Sequence, residues 1–163
     1  MRIAIDPSLT QTGYAVAEGK KIIASGVIKT KPKDTLPARL LHIRCEITSL
    51  LIKYKKINRA IIEIQDSFGS YHKRQNKMTG KGLNQEALNK QNWAIGVIII
   101  AIYSWIKNSS DEDCVKLVTT TQWKGKMSKE QAKLVASNIV RRKITNDNEA
   151  EAICLANYFF NIE

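Results

Sequence analysis

Three short β-forming runs fill the first 29 residues, and they constrain the fold more than any other feature. Residues 2–6 (RIAID), 12–18 (TGYAVAE) and 21–29 (KIIASGVIK) are separated by short breaks. Glu18-Gly19-Lys20 reads as a tight hairpin turn, so the three strands form a meander. After them the pattern changes. Residues 36–54 carry Leu36, Leu40, Leu41, Ile43, Ile47, Leu50 and Leu51 at helical spacing, with one buried face. Residues 58–65 (NRAIIEIQ) predict a buried strand. Residues 85–107 predict a helix whose second half, WAIGVIIIAIYSWI, is apolar nearly all round and so is expected to be buried on several sides. Residues 114–119 (CVKLVT) make a fifth strand. Ser128 caps a helix reaching about residue 142, and a last helix spans 147–160. The order β-β-β-α-β-α-β-α-α predicts an α/β fold, a mixed five-stranded sheet with helices on both faces. Neither a repeat nor a linker interrupts it, and 163 residues suit one domain, 1–163.

Twenty-six Lys and Arg face fifteen Asp and Glu, a net charge of +11. Such an excess points to a polyanionic partner, most often nucleic acid. Cys45, Cys114 and Cys154 each sit among apolar residues and read as small core side chains. With no CxxC, neither a zinc site nor a disulfide framework is expected. The chain opens without a signal-peptide pattern, and its longest apolar stretch, 93–106, is too short for a membrane span of roughly 20 residues. A cytoplasmic protein with no membrane partner is expected.

Carboxylates stand in unusual settings. Asp6 ends the first strand. Glu63 lies between Ile62 and Ile64 inside the fourth. A carboxylate there costs several kcal/mol unless it is paired or bound to metal. The plainer alternative is that it points to solvent at the end of the sheet. Asp147, Glu149 and Glu151 open the last helix, where the dipole alone favours acids. Glu151, however, lies a turn inside. Residues three and four apart share a face, so Asn148 and Asp147 flank it while Glu149 points elsewhere. Carboxylates from two strands and one helix can converge on Mg²⁺, which takes oxygen ligands. Two such ions about 4 Å apart can drive phosphodiester cleavage.

Five segments in order resemble the RuvC Holliday-junction resolvases, of the ribonuclease H-like fold: IDPSLTQTGYAV at 5–16, AIIE at 60–63, TQWK at 121–124, SKEQ at 128–131 and NDNEAEA at 146–152. The resemblance implies a two-metal nuclease, Mg²⁺-dependent with Mn²⁺ able to substitute. It implies a homodimer in which each subunit nicks one of two opposed strands of a four-way DNA junction. Asp6 and Glu63 match the first two catalytic acids, and Glu151 the last acid of the family's D-x-x-D-A. Lys124 and Lys129 match basic residues near the cleaved phosphate, and Phe68 an aromatic near the junction centre. The 93–106 helix would supply the dimer interface. Length and charge look like the short phage-type members, which would act in the host cytoplasm. Two departures stand out. Ser8 replaces a Gly frequent in the family. Asn148 stands where an Asp is usual, leaving either Asn148 or Asp147 as the fourth ligand.

Residues 66–84 (DSFGSYHKRQNKMTGKGLN) form a long basic loop. Long loops in compact domains are usually functional or disordered. Lys73, Arg74, Lys77 and Lys81 can neutralise phosphates, and Phe68 and Tyr71 can stack on unpaired bases. A second basic set, including Lys124, Lys126 and Lys129, borders the last two helices. Recognition of branch shape rather than sequence is expected, because phosphate contacts do not read bases. Two other readings are a junction-binding protein of the same fold that has lost cleavage, motivated by Asn148, and a fragment of the actin-like kinase fold. The chain is short and basic for the latter.

Overall fold

The computed structural model describes residues 1–65, 85–106 and 114–162. Strands β1 (Arg2–Asp6), β2 (Gln11–Glu18) and β3 (Lys21–Lys29) form the antiparallel meander. Strands β4 (Arg59–Ile64) and β5 (Val115–Thr119) run parallel to β1, and the sheet order is β3-β2-β1-β4-β5. The helices are α1 (Leu36–Lys53), α2 (Gln85–Ile106), the single turn α3 (Thr120–Trp123), α4 (Lys129–Val140) and α5 (Asp147–Ile162). The mixed five-stranded sheet with helices on both faces is therefore present. The turn α3 was not legible in the sequence. Its capping contact, the Thr119 amide donating to Gln122 Oε1 at 2.7 Å, comes from side chains that also suit a loop.

Strand periodicity sorts the two faces. Ile3, Ile5, Ala60 and Ile62 pack with Ile43, Ile47 and Leu51 of α1 and Ile98 and Ile102 of α2. Ala4, Ala15, Ala17 and Ile61 face Ala150, Ile153 and Ala156 of α5 and Ala132 and Ala136 of α4. This second interface is built largely of alanine, so α5 lies close on the sheet. The approach is tightest at Gly13, where a Cβ would stand 2.0 Å from the Asn148 carbonyl oxygen. Asp6 and Glu63 share parity with Ala4 and Ile61, so their side chains emerge on the α5 face.

Three expectations change. Cys114 and Cys154 are buried, but Cys45 is exposed on the outer face of α1. Leu41, counted in the buried face of α1, is 57% exposed. Helix α2 is not buried on several sides: Ala94, Ile98 and Ile102 pack inward, whereas Trp93, Ile100 and Tyr103 lie open. An apolar helix face carries no directional information about what covers it, so periodicity alone could not separate core from surface. No helix among the described residues is long and apolar enough to cross a membrane.

Candidate metal centre

Asp6, Glu63 and Glu151 meet where β1 and β4 end beside the first turns of α5. Each offers a carboxylate oxygen, and these oxygens lie within 4.8 Å of one another. Asp6 and Glu63 are only 8% and 7% exposed. Parallel pairing of β1 with β4 brings the two strand ends together, and the small residues beneath α5 let Glu151 reach them.

The electrostatics are severe. Burial, and then the charges of Glu63 and Glu151, hold the Asp6 carboxyl well above the usual carboxylate range. Burial also pushes Glu63 up, against the pull of the Thr120 hydroxyl. That hydroxyl donates to Glu63 Oε1. The second oxygen, Oε2, is buried and makes no close hydrogen bond among the described residues, although the indole N–H of the neighbouring Trp123 lies near enough to pull Glu63 down as well. Lys124 Nζ forms an ion pair with Glu151 Oε1. Three crowded carboxylates, one of them with a buried oxygen that lacks a close hydrogen bond, are a donor set that fits a hard divalent cation, and Lys124 offsets part of their mutual repulsion.

The two candidates for a fourth ligand make different contacts. Asp147 uses both oxygens on lysines, at 3.0 Å to Lys129 and 2.6 Å to Lys133. These two cations hold its carboxyl below the ordinary value. Asn148 donates its amide N–H to the Gln11 carbonyl and lines the cleft shared by Asp6 and Glu151. Glu149 turns away, bonded to Ser25 Oγ at 2.9 Å and paired with Arg142. Asn146 caps α5 by accepting from the Glu149 amide at 3.1 Å.

Lys126 is exposed in the turn after α3. Phe68, Tyr71, Lys73, Arg74, Lys77 and Lys81 lie outside the described residues. Thr120, Trp123 and Gln11 contact the site without a chemical signal in the sequence; only their places inside or beside recognisable segments marked them.

A family model described as crossover junction endodeoxyribonuclease RuvC matches residues 3–158. This chain belongs to the RuvC family. Among RuvC relatives, that of Rickettsia typhi is 28% identical over 160 residues, covering 94% of this chain and 92% of that protein. The Rickettsia prowazekii RuvC is 29% identical over 162 residues, covering 94% and 92%. The Salinispora arenicola RuvC is 40% identical over 58 residues, 32% of this chain and 33% of that protein. These relatives are bacterial and lend no support to a phage-type origin. The structure of Thermus thermophilus RuvC in complex with a Holliday junction substrate superposes with a TM-score of 0.71 at 18% identity, covering 98% of this chain and 95% of that one. That likeness places the chain in the same ribonuclease H-like fold as RuvC.

Proposed function

We propose that this RuvC-family chain is a crossover junction endodeoxyribonuclease, nicking opposed strands of Holliday junctions by divalent-metal-dependent hydrolysis. The observation that carries the reading is the convergence of Asp6, Glu63 and Glu151 from β1, β4 and α5 in a chain of net charge +11. Asp6, Glu63 and Glu151 would hold Mg²⁺, in two ions for which Mn²⁺ substitutes, with Asn148 offering a neutral amide oxygen. Such ions activate water and stabilise the leaving oxygen.

The chain's own groups set the rest. The Thr120 hydroxyl fixes the Glu63 carboxylate. Lys124, held at the rim of the cluster by Glu151, supplies a positive charge toward the cleaved phosphate. Lys129 and Lys133, anchored on Asp147, extend that charge along α4. Residues 1–163 would act as one domain, and a homodimer would present two equivalent sites to a four-way junction. The exposed stripe of Trp93, Ile100 and Tyr103 on α2 is a candidate surface for that dimer. The branched DNA would be met in the cytoplasm. The convergence of the three carboxylates supports cleavage, and nothing favours a binder that has lost it.

The test is a nicking assay on four-way junction, fork, flap and linear duplex with Mg²⁺ or Mn²⁺. Symmetric nicks in the four-way junction are expected; metal-independent or absent nicking would overturn the reading. Two variants probe the centre. Thr120→Val should weaken metal affinity about 10–100-fold, as loss of an outer hydrogen bond to a ligand does, measured by calorimetric titration. Asp147→Asn should keep cleavage within about threefold and cost no more than about 1 kcal/mol, because its lysine pairs are solvent-screened. A thousandfold loss for Asp147→Asn would instead make Asp147 the fourth ligand.

A further inference from the structure

Arg39 stands in the first turn of α1, where the helix dipole disfavours a cation. No acidic side chain shares that turn. The guanidinium is nevertheless held firmly. Its Nε donates to Thr30 Oγ1 at 2.9 Å, and its Nη2 reaches Thr10 Oγ1 at 3.1 Å and the Leu9 carbonyl at 3.3 Å. All three acceptors are neutral, so they orient the charge without cancelling it. Among the described residues no carboxylate pairs with Arg39. The lysines near the centre differ: Lys124 is paired with Glu151, Lys129 and Lys133 with Asp147, and Lys90 with Glu86.

Arg39 lines a cleft of about 460 Å³ that opens directly onto Asp6, Asn148 and Glu151. The cleft is open to solvent, so a segment of the cut strand can lie along it. An oriented guanidinium with an edge left over, its Nη1 making none of the three bonds, suits an anion with two oxygens in one plane. The dipole that opposes Arg39 also favours an anion beside it. The Asp6–Glu151 end of the same cleft belongs to the phosphate being cut. We infer that Arg39 binds a phosphodiester flanking the scissile one, on the strand that is cut. The contact would fix the strand's register in the cleft and read no base. This rests on the nuclease reading above.

The test uses four-way junctions carrying one neutral methylphosphonate at each of the positions flanking the cut, with binding measured to the full-length protein in EDTA. One flanking position should weaken wild-type binding about tenfold. Arg39→Gln should weaken binding to the unmodified junction by a similar factor, lower the salt slope by about one, and lose sensitivity to that one methylphosphonate. Arg39→Lys, which keeps charge but not the fork, should fall between. Thermal melting confirms that each variant folds. A wild-type protein indifferent to every flanking methylphosphonate overturns the inference without any variant. So does an Arg39→Gln or Arg39→Lys protein that keeps the full wild-type sensitivity. Nicking with Mg²⁺ separates the two readings. Coupling without nicking would sink the nuclease assignment and leave the phosphate contact; nicking without coupling would sink the contact alone.

Discussion

Asp6→Asn is expected to abolish junction nicking, lowering the rate at least about a thousandfold, while leaving junction binding intact. A thousandfold is roughly 4 kcal/mol of transition-state stabilisation, within what a metal ligand supplies. The same substitution should make the metal-free protein more stable at neutral pH. Burial and the neighbouring Glu63 and Glu151 charges raise the Asp6 carboxyl well above its unfolded value. The folded state therefore holds this proton more tightly than the unfolded chain. Stability is fully present below the ordinary Asp value and is lost as pH rises through the raised one. In EDTA, wild-type melting temperature should fall between acidic and neutral pH more steeply than that of Asp6→Asn. Each kcal/mol relieved corresponds to roughly 2–4 °C in a chain of this size. A variant that cleaves normally, or melts with the wild-type pH profile, would contradict the assignment of Asp6.

Gly13→Ala carries the second large effect, and it works through packing alone. The added Cβ would sit 2.0 Å from the Asn148 carbonyl oxygen and 2.4 Å from its carbonyl carbon. Both atoms are backbone, so no rotamer relieves the clash. The first turn of α5 must lift from β2, breaking the Asn148 amide contact to the Gln11 carbonyl. About 3 kcal/mol is a fair cost for such overpacking, or roughly 6–12 °C in melting temperature. Gly13 is the register partner of Asp6, so the shift also moves Glu151 away from Asp6. A displacement near 1 Å can cost about a hundredfold in rate. Differential scanning calorimetry and the nicking assay check both parts; a variant with native melting and native nicking would show that α5 does not approach the sheet this closely.

Much of the fold was legible because its cues are local. The meander followed from Glu18-Gly19-Lys20 between two β-forming runs. Helix α1 followed from Ile43, Ile47 and Leu51 at four-residue steps, all three fully buried. Glu63 was legible as a candidate ligand because an acid inside a β-branched run needs a partner, and it does lie beside Asp6 and Glu151. The misses share a different cause. Cys45, Leu41 and the outer stripe of α2 were read as buried from their apolar neighbours, yet burial depends on which face another element covers. Helix α3 was missed because its single turn depends on Thr119 and Gln122 closing on each other after β5 ends.

The centre shows the same division. From the residues alone, Asp6, Glu63 and Glu151 were candidates, since strand ends and helical spacing limit where a side chain can point. Spacing left Asp147 and Asn148 equivalent, because both lie one turn from Glu151 on a helix. Only the tertiary structure separated them: Lys129 and Lys133 of α4 draw Asp147 outward, and the Gln11 carbonyl of β2 holds Asn148 at the cleft. Arg39 was invisible for the same reason, being 33 residues from Asp6 along the chain and joined to it only by a shared cleft. Local pattern determined which elements form and which face each acid takes. Contacts between elements distant in sequence decided which charged side chains pair with a neighbour and which ones line the cleft beside Asp6 and Glu151.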